Sequence, residues 1–155
     1  MVLKKFKPNK KFQPFPSDEG DELYPNGIFE FNITKLLEFI NSNQSIFKAQ
    51  KVEVKAVRTT YSSNLDEEAI QSANLTNPII LAEISPGMFN VIDGHHRLEK
   101  AYRDGVVKIP AYKILAEQHM NFLTSTKSYT EYIQYWNEKL KDWVKYNAVR
   151  EISIS

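Results

Sequence analysis

The chain has 155 residues, 42% of them apolar and 25% charged, with a formal net charge of +1. That length bounds it to one core with a small appendage, and the charge balance excludes a global basic field of the kind that advertises nucleic acid or membrane. The absence of cysteine excludes disulfides, cysteine–zinc centres and thiol catalysis and fits a cytoplasmic chain, and no apolar run approaches the roughly 20 residues of a membrane span.

Residues 1–25 place Lys4, Lys5, Lys7, Lys10 and Lys11 ahead of Asp18, Glu19, Asp21 and Glu22. Pro8, Pro14, Pro16 and Pro25 forbid a long helix here, so an extended arm is expected, pinned to the body by Phe6, Phe12 and Phe15. The acids follow so closely that the lysines read as a solvated face rather than a grip on nucleic acid. Met1 to Lys7 lacks a long apolar stretch, and no signal peptide is expected.

Asn32 reads as an N-cap for a helix carrying Ile33, Leu36, Leu37 and Ile40 on one face. Val52, Val54 and Ala56 alternate with Glu53 and Lys55, the pattern of a half-buried strand. Arg58 to Ser63 is polar and rich in hydroxyls. Asn64 with Glu67 resembles a capping box opening a helix over Leu65–Ala73. Pro78 to Ile84 is an apolar, β-branched run, expected to be the most buried strand. Ser85-Pro86-Gly87-Met88 carries a type II turn signal and would pair that strand with Phe89–Ile92.

Asp93-Gly94 breaks the second strand, and from His96 the spacing of Leu98, Ala101 and Tyr102 turns helical. Lys108–Ile114 reads as a further strand, with Pro110 arguing for an edge or a strand start. In the last third, Ser128 with Glu131 resembles another capping box. Tyr129, Tyr132, Ile133, Trp136, Leu140, Trp143 and Val144 then recur at helical spacing. That stripe is expected to pack onto the domain; the alternative is a homodimer face.

The strand–turn–helix at residues 91–101 concentrates the chemistry. A helix N-terminus offers unpaired N–H groups and partial positive charge, hence an anion site. Gly94 would let the backbone approach a ligand. His95, His96 and Arg97 add hydrogen-bonding or cationic side chains, and the guanidinium fork of Arg97 matches phosphate oxygens.

Asp93-Gly94-His95-His96-Arg97-Leu98, followed by Ala101, Gly105 and Ile109-Pro110, resembles the signature of the ParB/sulfiredoxin superfamily. Leu65–Ala73 and Asn77-Pro78-Ile79-Ile80-Leu81 are similar to its preceding helix and strand. The resemblance implies an α/β (α+β) fold with a small mixed sheet, here over residues 26–116, followed by a C-terminal helical extension over 117–155. It implies phosphates of a nucleoside triphosphate, ATP or CTP with Mg²⁺, or another phosphorylated small molecule, resting on Gly94, His95, His96 and Arg97, with Arg58 as a further ligand. Asp93 would hold the metal or act as a base, and His95 or His96 would serve as acid or phosphate ligand. Glu30 falls near the place where the serine-kinase branch carries a catalytic glutamate. Where partition proteins usually carry Gly-Glu-Arg-Arg, this chain has Gly94-His95-His96-Arg97; it also lacks the sulfiredoxin cysteine and has no room for a helix-turn-helix domain. The family also includes ParB-like nucleases, for which Asp93, His95 and His96 would bind metal and activate water. A third reading is a non-catalytic module that senses an anion or docks a partner.

Overall fold

The computed structural model describes residues 4–27, 29–58 and 65–154, with side chains as far as Tyr146. The chain is mixed α/β, of the α+β kind. A hairpin of β1 (Leu23–Asn26) and β2 (Phe29–Asn32) leads into α1 (Ile33–Ser42). Next come β3 (Gln50–Glu53), the short α2 (Val54–Val57) and α3 (Glu67–Ser72). The hairpin β4 (Ile79–Ser85) and β5 (Met88–Asp93) feeds α4 (His95–Arg103). Then follow β6 (Lys108–Ile114), α5 (Ala116–His119), a 3₁₀ turn (Met120–Phe122) and the long α6 (Thr126–Ile154).

The larger sheet has the order β3-β6-β4-β5, with β4 parallel to β6 and the other pairings antiparallel. Both its faces are covered, which is why β4 reads as a continuous apolar run. Alternation divides that strand between two cores. Ile80, Ala82 and Ile84 join α1, α6 and β2 on one side, while Ile79 and Leu81 join Val52, Leu98 and Ala101 on the other.

Local signals set several boundaries as expected. The Asn32 side chain accepts from the Lys35 N–H at 3.0 Å and caps α1. Helix α4 closes in a Schellman motif, with Val106 N–H to Ala101 O at 2.9 Å and Gly105 N–H to Tyr102 O at 3.3 Å. Elsewhere tertiary structure decided. The strand expected over Val52–Ala56 stops at Glu53, because Val54 N–H turns to Val107 O at 2.9 Å and the buried Val54 packs in the α4-side core. Asn64 lies outside the described residues; the cap of α3 is Asp66, whose carboxylate accepts from Glu68 N–H at 3.2 Å. Helix α6 starts ahead of Ser128, with the Ser125 hydroxyl accepting the Ser128 N–H at 3.0 Å.

Pro110 sits in an interior strand rather than at an edge. The two ladders of β6 are offset: residues 108–111 pair with β3 and residues 111–114 with β4. On the β4 flank the ladder begins one residue after the proline, so nothing there requires its missing N–H.

The aromatic stripe of α6 is spent within the chain. Tyr129, Tyr132, Ile133, Trp136 and Leu140 are all buried. Part of what covers them is the N-terminal segment, which runs back along the helix. Phe6 and Asn137 exchange two hydrogen bonds of 2.9 Å, Trp136 Nε1 donates to Lys4 O at 2.8 Å, and Phe12 stacks on Tyr129 at 3.9 Å. Toward the far end of α6, Val144, the last residue of the expected stripe, and Tyr146 are exposed.

Candidate functional site

The β5–α4 junction is built around a backbone conformation that only glycine adopts without strain. Gly94 has φ +101°, and a Cβ there would lie 2.4 Å from Ile79 Cγ2 and 2.9 Å from Arg97 Nη2. The glycine is therefore demanded by the packing of the chain on itself, a reason additional to the ligand approach expected from sequence. Gly94 is also the N-cap of α4 and offers no side chain to its first turn. The first helical hydrogen bond is Leu98 N–H to Gly94 O at 2.9 Å. The amides of His95, His96 and Arg97 thus have no acceptor further back in the helix, and no acidic side chain occupies that turn.

This uncapped end faces a cavity of about 490 Å³. Asp93, Gly94, His95, His96 and Arg97 form one wall, Glu22 and Tyr24 a second, and Ala69, Ala73 and Asn77 a third. Lys100 closes the back of the third wall, donating to Gln71 O and Ala73 O at 2.9 and 3.1 Å at the end of α3.

The side chains differ from a simple cluster of cations. Arg97 Nη2 donates to Asp93 Oδ2 at 3.1 Å, so the guanidinium is positioned by a carboxylate. His95 is largely buried beside Tyr24, with Nε2 3.4 Å from the tyrosine hydroxyl. Burial pushes its pKa below the usual histidine value; Asp93 opposes that shift and His96 adds to it. His95 is accordingly a neutral imidazole at pH 7. His96 Nε2 accepts the Asp66 N–H at 3.3 Å, which places that ring's proton on Nδ1 and ties α4 to the start of α3.

Two expected site residues lie elsewhere. Glu30 accepts from the Thr124 hydroxyl at 2.6 Å and does not line the cavity. Its strand pairs with β1, and alternation turns its side chain toward the segment ahead of α6. Arg58 also stays outside the cavity. It forks onto Glu99 at 2.8 and 3.3 Å and lies 3.7 Å above the Tyr102 ring. Glu99 in turn accepts from Arg103, which grips Glu67 at 2.7 and 2.9 Å. The hydrogen bond from Arg58 is the largest cause holding Glu99 below the usual carboxylate range.

Glu22, read from sequence only as part of the arm, belongs to the cavity. The β1–β2 hairpin folds it against the start of α1, where Glu22 O accepts Ile33 N–H and Glu22 N–H donates to the Thr34 hydroxyl, both at 2.8 Å. Desolvation at the rim and then the charge of Asp93 raise its pKa, against the pull of Arg97. The overlooked signal was Gly27, which directly follows β1 and takes φ +69° where the hairpin reverses.

Among the described residues no three His, Asp or Glu side chains converge on a point able to hold a metal ion. Asp93, His95 and His96, the set that a nuclease reading requires, are each engaged by a different partner. Asp93 and Glu22 are two carboxylates lining the same cavity as the open first turn of α4, a donor type that Mg²⁺ uses when phosphates complete its shell. The chain matches no known protein-family model and no curated protein sequence.

Proposed function

We propose that the cavity binds a nucleotide or another phosphorylated small molecule, with phosphate oxygens on the amides of His95, His96 and Arg97. The observation that carries this reading is a nine-residue helix with no capping side chain, opening onto a cavity with an arginine held at its rim. Helix dipole, free N–H groups and a planar guanidinium all favour an oxyanion there. The likeness of Asp93 to Leu98 to the ParB/sulfiredoxin turn supports the same ligand class.

The two carboxylates set a condition on the ligand. Asp93 and Glu22 would repel a bare polyphosphate, so the ligand should arrive with its charge partly neutralised, as a magnesium complex. Asp93 and Glu22 would be the residues to hold Mg²⁺, which would supply charge neutralisation and Lewis acidity to the phosphates. Asp93 orients Arg97, neutral His95 supplies a hydrogen bond beside Tyr24, and Glu22 is a carboxylate whose raised pKa suits it to accept a proton from an attacking hydroxyl or water. The reading thus extends to phosphoryl transfer or nucleotide hydrolysis.

A thermal-shift panel of ATP, ADP, CTP and GTP, with and without Mg²⁺, tests it. At least one nucleotide should raise the melting temperature of the wild type more with Mg²⁺ than without, and Arg97→Ala should abolish the rise. A flat response across the panel would overturn the proposal. Turnover is read separately as phosphate release; a bound nucleotide with no release in any metal would restrict the function to sensing.

A further inference from the structure

A second surface of the molecule, remote in composition from the cavity, carries its own ligand preference. We propose that the N-terminal segment of residues 4–17, docked along α6, is a binding ridge for a nucleic-acid backbone, with Lys4, Lys5, Lys7, Lys10 and Lys11 as its phosphate contacts. This surface is independent of the nucleotide reading and does not rest on it.

Three observations carry the proposal. First, the segment is fixed. Its backbone is held through Lys4 O, Phe6 and Asn9, the last donating to the Tyr129 hydroxyl at 2.9 Å. A turn closed by Phe12 N–H to Asn9 O at 3.0 Å then carries Lys10 and Lys11 at its tip. Ordering before binding lowers the entropic cost of association.

Second, all five lysines are exposed, and no ion pair of the described residues involves any of them. Among the described residues none of the acids that follow the arm forms an ion pair with its lysines. Asp21 is held by the Asn32 amide, and Asp18 pairs with Lys35. Third, the near-neutral net charge conceals a strong asymmetry. Residues 4–17 and 126–146 together hold nine lysines against Glu131, Glu138 and Asp142, a surplus of six positive charges. With +1 overall, the rest of the chain is net negative by five. A basic arm and helix in an otherwise acidic chain carry the electrostatic footprint of a polyanion site.

Nucleic acid fits better than a lipid surface because the arm's first two aromatics point inward. Phe6 is 5% exposed against Trp136, and Phe12 lies flat on Tyr129. A membrane-binding segment presents such side chains outward beside its lysines. Over residues 4–11 what faces solvent is a row of ammonium groups, suited to a linear array of phosphates; the one exposed aromatic of the arm, Phe15, lies beyond them beside Phe122.

The test is fluorescence anisotropy with a labelled single strand and a labelled duplex of about 20 nucleotides, from about 50 to 200 mM salt. Wild type should bind at low salt and weaken steeply as salt rises. Replacing the five arm lysines by glutamine should weaken binding at least tenfold and flatten the slope of log K against log salt by about three to four. Removing the same kind of charge around the β3–β6 ladder, with Lys48, Lys51, Lys55 and Lys108 changed to glutamine, should leave the arm's contribution to that slope intact. Unchanged thermal melts confirm that the variants fold. Oligonucleotide binding that is absent in the wild type, or insensitive to the arm substitutions, would overturn the proposal. So would arm-dependent binding to vesicles containing phosphatidylserine with none to either oligonucleotide.

Discussion

Helix α4 bears two arginine–carboxylate arrangements of opposite character. Away from the cavity, Arg58 and Arg103 converge on Glu99, and Arg103 reaches on to Glu67, so both guanidinium forks meet carboxylate oxygens. At the first turn, Arg97 makes a single 3.1 Å hydrogen bond to Asp93 and retains donors at a cavity wall. The residue types are the same, and the surroundings separate a structural brace from a group able to meet a ligand. A guanidinium saturated by carboxylates has little left to offer phosphate; one merely oriented by a carboxylate is preorganised for it.

The largest effect expected from probing this contrast is at the hinge that creates the first-turn site. Gly94→Ala places a methyl into Ile79 and forces an alanine to φ +101°, so stability should fall by about 3 kcal/mol or more, with ligand binding lost as well. Chemical denaturation measures the first part and nucleotide titration the second.

Next in size is a pH effect from the sheet's other face, where a polar group is fully buried. His119 is fully buried, its Nε2–H donating to Glu83 O at 2.6 Å while Nδ1 meets no partner among the described residues. Burial pushes its pKa down to about 4. The unfolded chain therefore binds a proton that the folded chain refuses. Stability is full above the unfolded value of about 6.5 and is lost as pH falls toward 4, by up to about 3 kcal/mol. His119→Phe should therefore reduce the acid slope.

The two arginines themselves should then divide cleanly. Arg97→Ala should weaken nucleotide binding by tenfold to a hundredfold and change the melting temperature little. Arg58→Ala should cost about 1–2 kcal/mol of stability, since Glu99 loses its bidentate partner, and leave nucleotide affinity unchanged. Equal binding losses in both variants would erase the distinction between brace and ligand.

The smallest effect concerns Glu22. Its raised pKa means that it loses its charge earlier than an ordinary glutamate as pH falls. Affinity for metal-free pyrophosphate should thus rise by a few fold into the acidic range in the wild type and be flatter in Glu22→Gln, measured by calorimetry.

Legibility in the sequence followed the range of the interaction. The β4–β5 hairpin, the Asn32 cap and the position of the β5–α4 turn were all readable, because turn residues and apolar spacing act within a few positions. Residues 93–97 were therefore identifiable as one constellation. The partner of Arg58 was not, since Glu99 is 41 positions away and only the packing of α2 on α4 brings them together. Glu30 was expected at the site and Glu22 was not for a related reason: the acid that reaches the cavity is chosen by the β1–β2 fold-back after Asn26, not by distance from the first helix. The arm shows the converse. Its composition was plain, yet whether its lysines were neutralised depended on where Asp18 and Asp21 found partners.

The central claim is that the first turn of α4 receives an oxyanion, and amide chemical shifts report on that turn directly. Titrating Mg²⁺·ATP and inorganic pyrophosphate into ¹⁵N-labelled protein should shift the His95, His96 and Arg97 amides most, and downfield, with saturation. Saturable shifts confined to other surfaces, with those three amides unmoved, would contradict it.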